Sequence, residues 1–206
     1  MECVKQTLGA LATNTYIVRS QTTTLLIDPA AQASDLLSYL RGRGWGVDAI
    51  LLTHGHFDHI GAVAACRRAF GCPIYMHAAD VSKIEDMRYL PYGFGAPEPE
   101  PFAVDCPIDR DMDLRIGDID VRVICTPGHS AGSVCYAIGE SLFCGDTLFA
   151  GSYGRTDFTD GNFSELCGSV HKLFATEKDY VLHCGHGADT RLSVERKYNP
   201  ICGEWK

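Results

Sequence analysis

The segment Thr53-His54-Gly55-His56-Phe57-Asp58-His59 places three imidazoles and a carboxylate directly after the apolar run Ala49 to Leu52. Burying so many polar groups without a metal or dense hydrogen bonding is costly. A fold that accepts this segment must therefore bring further polar groups to the end of one buried strand. Neutral imidazole and carboxylate are the usual nitrogen and oxygen ligands of zinc and other first-row metals. Gly55 lets the backbone turn tightly between two ligand-type side chains. Three shorter elements share the form, each setting a ligand-type side chain beside a glycine after an apolar strand. They are Pro127-Gly128-His129-Ser130, Gly145-Asp146-Thr147 and Gly185-His186-Gly187. Singly, each reads equally well as a turn with a solvated side chain. Together they supply the remaining donors for a two-metal centre.

Composition narrows the setting. A chain of 206 residues has room for one substantial core, so a single domain over 1–206 is expected. With 46% hydrophobic and 21% charged residues, broad disorder is excluded. The formal net charge of -8 disfavours nucleic acid and anionic membranes as partners and leaves a small-molecule substrate as the expectation. No apolar run is long enough to span a bilayer. The opening Met1-Glu2-Cys3-Val4-Lys5 lacks a basic region followed by a long apolar core, so no leader is expected. None of the ten cysteines forms Cys-x-x-Cys, and several, such as Cys125 and Cys144, sit in apolar runs. They read as buried free thiols in a reducing, cytoplasmic setting.

β-Branched and aromatic runs predict strands at 14–19, 23–28, 49–52, 73–76, 113–116, 118–126, 133–138, 141–144 and 180–183. Helices are expected from a Ser34 cap to Arg43, and over 60–70, 163–174 and 190–198. The stretch 88–107, rich in Pro, Gly and aromatics, reads as a long irregular loop walling a site. Hairpins alternating with helices argue for sheets covered by helices and against a purely parallel dinucleotide-binding arrangement. Neither a Gly-x-Gly-x-x-Gly nor a phosphate-loop pattern is present.

These strings resemble the metallo-β-lactamase superfamily, and within it the small glyoxalase II-like (hydroxyacylglutathione hydrolase-like) branch. The similarity extends beyond the ligand elements to Asn14-Thr15-Tyr16, Asp28-Pro29, Gly145-Asp146-Thr147-Leu148-Phe149, Gly151 to Asp157, and His183 to Gly187 leading to Glu195 and Asn199-Pro200. It covers essentially the whole chain. The resemblance implies an α/β fold, an αββα sandwich of two mixed sheets covered by helices on both outer faces. It implies that His54, His56 and His129 hold one divalent metal, that Asp58, His59 and His186 hold a second, and that Asp146 bridges them. Zinc is the first expectation, with iron or manganese as alternatives. Asp146 stands where true β-lactamases place a cysteine, and Cys144 reads as core. Ala30 and Ala62 depart from the branch, which usually has glycine at both places. Full glyoxalase II carries a C-terminal helical domain with basic glutathione-binding residues, which this chain is expected to lack.

The implied chemistry is attack by a metal-bridging hydroxide on a thioester such as S-lactoylglutathione, with Asp58 as the catalytic residue orienting the nucleophile. Arg155, Tyr153 and Tyr92 are candidate substrate contacts, although Arg155 reads equally as a partner for Asp157 or Asp160. Asp28 is a candidate acceptor from a ligand histidine, or simply a turn residue before Pro29. Alternatives are a persulfide dioxygenase with one iron on His54, His129 and Asp146, a lactonase or phosphodiesterase on the same metals, and a non-catalytic metal-binding protein. His77 reads as a helix cap or pocket wall.

Overall fold

The computed structural model describes residues 1–84 and 99–205. Among them, strands β1 (Glu2–Leu8), β2 (Thr13–Arg19), β3 (Thr24–Ile27), β4 (Ala49–Leu51), β5 (Ile74–His77) and β6 (Cys106–Ile108) form one sheet in that order. Its first three strands pair antiparallel and the rest parallel. The second sheet contains β7 (Met112–Ile116), β8 (Ile119–Cys125), β9 (Val134–Ile138) and β10 (Ser141–Gly145). Beyond a small hairpin of β11 (Leu148–Phe149) and β12 (Ser152–Tyr153), it adds β13 (Val181–Cys184) and β14 (Thr190–Arg191). Only β10 and β13 pair parallel there.

Period-2 patterning explains the layers. Tyr16 and Val18 of β2 point inward, against a core that includes Val121, Val123, Tyr136 and Phe143 of the other sheet. Ile17, between them, points outward to a second cluster with Leu36 and Leu40 of α1 (Ala33–Gly42). The short α2 (Phe57–Ile60) and then α3 (Val63–Phe70) continue this outer layer through Ile60, Val63 and Cys66. On the opposite face, Leu142 and Leu182 pack beneath Leu166, Val170 and Leu173 of α4 (Phe163–Phe174) and Leu192 of α5 (Leu192–Tyr198). Each fully buried aliphatic side chain contributes on the order of 1.5–3 kcal/mol. The result is the αββα sandwich. The ends of β3, β4, β10 and β13, with the β8–β9 connection, open onto one edge of it. No described helix is long and apolar enough to cross a membrane.

The structure corrects several sequence expectations. β1 was not anticipated from the sequence, because its polar, half-exposed edge carries little strand signal. The helix expected over 60–70 is two helices. Gly61 sits so close to β3's exit that a Cβ there would lie 2.3 Å from the Ala30 carbonyl oxygen, and Ala62 N–H donates to Pro29 O at 2.9 Å. Gln32, not Ser34, occupies the cap of α1, with a φ of 46° and no side-chain cap bond. Its amide oxygen instead accepts from Gly9 N–H at 2.9 Å. The loop expected to run to Pro107 gives way to β6 at Cys106, and Thr190–Arg191 form β14 before α5 begins.

Candidate metal centre

Five imidazoles and two carboxylates converge at the open edge, and hydrogen bonds behind the rings decide which nitrogen faces inward. Thr53 Oγ1 donates to Asp28 Oδ2 at 2.6 Å, so it accepts from His54 Nδ1–H at 3.0 Å. His59 Nδ1–H donates to Asp28 Oδ2 at 2.9 Å, His129 Nδ1–H to Arg155 O at 2.8 Å, and His186 Nδ1–H to Leu11 O at 3.1 Å. In all four rings the Nε2 lone pair is thereby turned into the cluster. His56 reaches it with Nδ1, 2.8 Å from His129 Nε2. His54, His56 and His129 form one group able to hold an ion, and Asp58, His59 and His186 form another; within each, the ligand atoms lie within 4.8 Å of one another.

Asp146 lies between the groups. Its Oδ1 is 3.3 Å from His59 Nε2, and its Oδ2 is 3.4 Å from His186 Nε2 and 3.6 Å from His129 Nε2. Asp58 Oδ2 is 3.3 Å from His186 Nε2 and accepts from the Thr13 hydroxyl at 2.8 Å. Gly185 makes this convergence possible: a Cβ there would lie 2.1 Å from Asp146 Oδ1 and 2.8 Å from the His59 ring.

The donor set fits divalent cations. His54 Nε2, His59 Nε2 and Asp146 Oδ1 are buried and make no hydrogen bond, an arrangement costly for polar groups unless a ligand completes it. Two ring nitrogens at 2.8 Å, one already committed as an acceptor, need a proton or a cation between them. The protein's own charges lead to the same conclusion. Burial and neighbouring imidazoles hold His54 well below the ordinary histidine range, and burial with His129 brings His56 down to about 4. Burial disfavours charge on His59 and His186 too, but the carboxylates prevail, raising His59 well above its usual value and His186 to about 9. Burial likewise pushes the Asp58 and Asp146 carboxyls up, and the facing imidazoles more than reverse it, bringing Asp58 to about 2 and Asp146 well below the carboxylate range. Such a site holds positive charge, supplied by protons or by metal.

Asp28 has a φ of 46°, left-handed for a residue other than glycine. Conformations of this kind cost on the order of 1–3 kcal/mol and persist where surrounding bonds enforce them. Here they do: Asp28 Oδ1 accepts from Thr53 N–H at 2.8 Å while Oδ2 takes Thr53 Oγ1 and His59.

The family profile for the Metallo-beta-lactamase superfamily matches residues 8–197. The chain belongs to the metallo-β-lactamase superfamily. Two solved structures are similar over nearly their whole length. BLEG-1, a B3 metallo-β-lactamase, is 35% identical with a TM-score of 0.91, over 97% of this chain and 99% of that one. TTHA1623 in a di-iron-bound form is 36% identical with a TM-score of 0.86, over 96% and 99%. The hydroxyacylglutathione hydrolase GloC of Haemophilus influenzae is 31% identical over 181 residues, 85% of each chain. The cluster is the metal-dependent hydrolase site of this metallo-β-lactamase fold.

The remaining sequence candidates fare unevenly. Arg155 is paired with Asp157 through two bonds of 2.6 Å, and its guanidinium lies 4.4 Å from the centre of the Phe158 ring. Tyr153 packs on Phe163 at 5.7 Å. Tyr92 lies outside the described residues. His77 caps the following 3-10 turn, accepting from Ala79 N–H at 3.2 Å. Ala30 and Ala62 are buried and lie outside both ligand groups. Sequence reading missed Thr13, Thr53 and Phe158, whose ring lies 4.9 Å from that of His56. Thr53 alone had a signal, as the residue between the buried strand and the first histidine.

Proposed function

We propose that the protein is a binuclear metallohydrolase that cleaves a thioester of a small molecule, S-lactoylglutathione being the representative substrate. His54, His56 and His129 would hold one divalent ion, Asp58, His59 and His186 the second, and Asp146 both. The observation that carries the reading is the set of four histidines, each held through Nδ1 with Nε2 turned into the cluster, where His59 and His186 face both Asp58 and Asp146. The 31% identity to a hydroxyacylglutathione hydrolase supports the substrate class.

Two bound divalent ions supply an acidified water and Lewis-acid polarisation of the carbonyl. The chain's residues do the rest. Asp58, ionised and steadied by Thr13, accepts a hydrogen bond from the attacking water and so aims it. Asp28 and Thr53 keep His59 and His54 from rotating. A thiolate leaving group, with a pKa near 8.5, departs without a protein acid. Phe158, 36% exposed beside His56, gives the mouth an apolar wall. The pairing of Arg155 with Asp157 leaves little free positive charge there for a glutathione carboxylate.

A second reading, β-lactam hydrolysis, is favoured by the 35% identity to BLEG-1. A panel on metal-quantified protein separates them: S-lactoylglutathione, a cephalosporin, a lactone, a phosphodiester, and glutathione persulfide with oxygen uptake. Thioester cleavage is expected to be fastest. Preferential turnover of the cephalosporin, or oxygen uptake with the persulfide, would overturn the proposal.

A further inference from the structure

The two halves of the centre share Asp28 behind His54 and His59, but each also has a support of its own. Behind the His54/His56/His129 group, and outside it, lies Asp80, fully buried in the 3-10 turn Ala78–Ile84 after β5. Its Oδ2 accepts from Gly55 N–H at 2.8 Å, between two of those histidines, and from Ser130 Oγ at 2.7 Å, next to the third. Its Oδ1 accepts from Gly132 N–H at 2.7 Å and from the ammonium of Lys83. Lys83, itself 4% exposed, continues to Asp160 at 2.7 Å, and Asp160 accepts from Ala131 N–H at 2.9 Å. One carboxylate thus ties a loop of the first sheet to a loop of the second. Buried ion pairs of this kind add little net stability over an apolar replacement; what this one fixes is the spacing of the two loops.

The Asp58/His59/His186 group has another support. Thr13 Oγ1 holds Asp58, and Leu11 O holds His186. Asn14, 1% exposed, donates through Nδ2 to Cys184 O at 2.9 Å and Gly187 O at 3.0 Å, and through its backbone N–H to Gly185 O at 2.7 Å. All three residues lie on or just before β2. None of these bonds reaches the Asp80 network.

We infer that Asp80 is a positioning residue for the ion on His54, His56 and His129 alone, that Thr13 and Asn14 position the other, and that the two affinities can be lowered independently. This rests on the two-ion reading above. Outer partners of this kind change metal affinity by about 10–100-fold.

The test is cobalt(II) titration of the full chain against a competing chelator, read by visible absorption, in two reference variants. His186→Ala leaves the first group intact, and His129→Ala the second. Asp80→Asn should weaken cobalt binding about 10–100-fold in the His186→Ala protein and less than about 3-fold in the His129→Ala protein. Thr13→Val should do the reverse. Should Asp80→Asn fail to fold, Ser130→Ala removes one bond of the same carboxylate and should act in the same direction. Equal weakening in both backgrounds, or none in either, would overturn the inference and leave the two-ion reading standing. Failure of the unsubstituted protein to bind two equivalents would overturn that reading itself.

Discussion

At the scale of single residues, the centre depends on which nitrogen of each ring faces inward. A histidine whose Nδ1 proton has a fixed acceptor is locked in tautomer and orientation. Thr53 does this for His54 while donating to Asp28, so one hydroxyl links a candidate ligand to the strained residue behind it. Thr53→Val keeps the shape and removes both bonds. It should lower metal affinity by about 10–100-fold in a chelator competition, with little loss of helix or sheet signal in circular dichroism; unchanged affinity would contradict this role. His59→Ala deletes a group that faces both carboxylates, and metal analysis should fall from two equivalents to one. Two retained equivalents would exclude His59 as a ligand.

At the scale of elements, the site is assembled from strand ends that meet across the sandwich, and α4 fixes one of them. Asn162 caps this helix, its side chain accepting from Glu165 N–H at 3.2 Å, while its own N–H donates to Gly128 O at 2.7 Å beside His129. Asn162→Ala should cost about 1 kcal/mol in a denaturant titration, as lost N-caps do; no loss would show that the cap is replaced by solvent. The strands that lead into the candidate ligands were legible in the sequence because each is followed within a few residues by a glycine beside a ligand-type side chain. β1 was not, because Glu2, Lys5 and Gln6 sit on an edge with little burial. Thr13 and Asp80 were illegible for a different reason. Their partners Asp58 and Ser130 lie 45 and 50 residues away, and neither residue sits in a motif of its own. The break between α2 and α3 depends on contact with β3, which no local pattern encodes.

At the scale of the whole molecule, the two sheets are joined by apolar packing and by a polar contact along one side. Lys5 of β1 pairs with Asp189 Oδ1 at 2.8 Å, and His183 Nδ1 with Asp189 Oδ2 at 2.8 Å. Tyr16 OH donates to Cys184 O at 2.7 Å. Burial pushes the Asp189 carboxyl up, but His183 and Lys5 outweigh it and bring it to about 2. A carboxyl lowered on folding adds stability above its unfolded value near 4 and loses that contribution as pH falls towards 2. The stability difference between the protein and Asp189→Asn, measured by denaturant unfolding, should therefore shrink between pH 5 and pH 2. A difference independent of pH would show that the contact does not join the sheets in this way.

Metal content and catalysis meet in one measurement. Metal-free protein is loaded with zinc in defined steps, and S-lactoylglutathione hydrolysis is followed at each. A binuclear thioester hydrolase would show a rate that reaches its plateau at two equivalents and disappears on chelation. A plateau at one equivalent, or no thioester cleavage with two zinc ions bound, would contradict it.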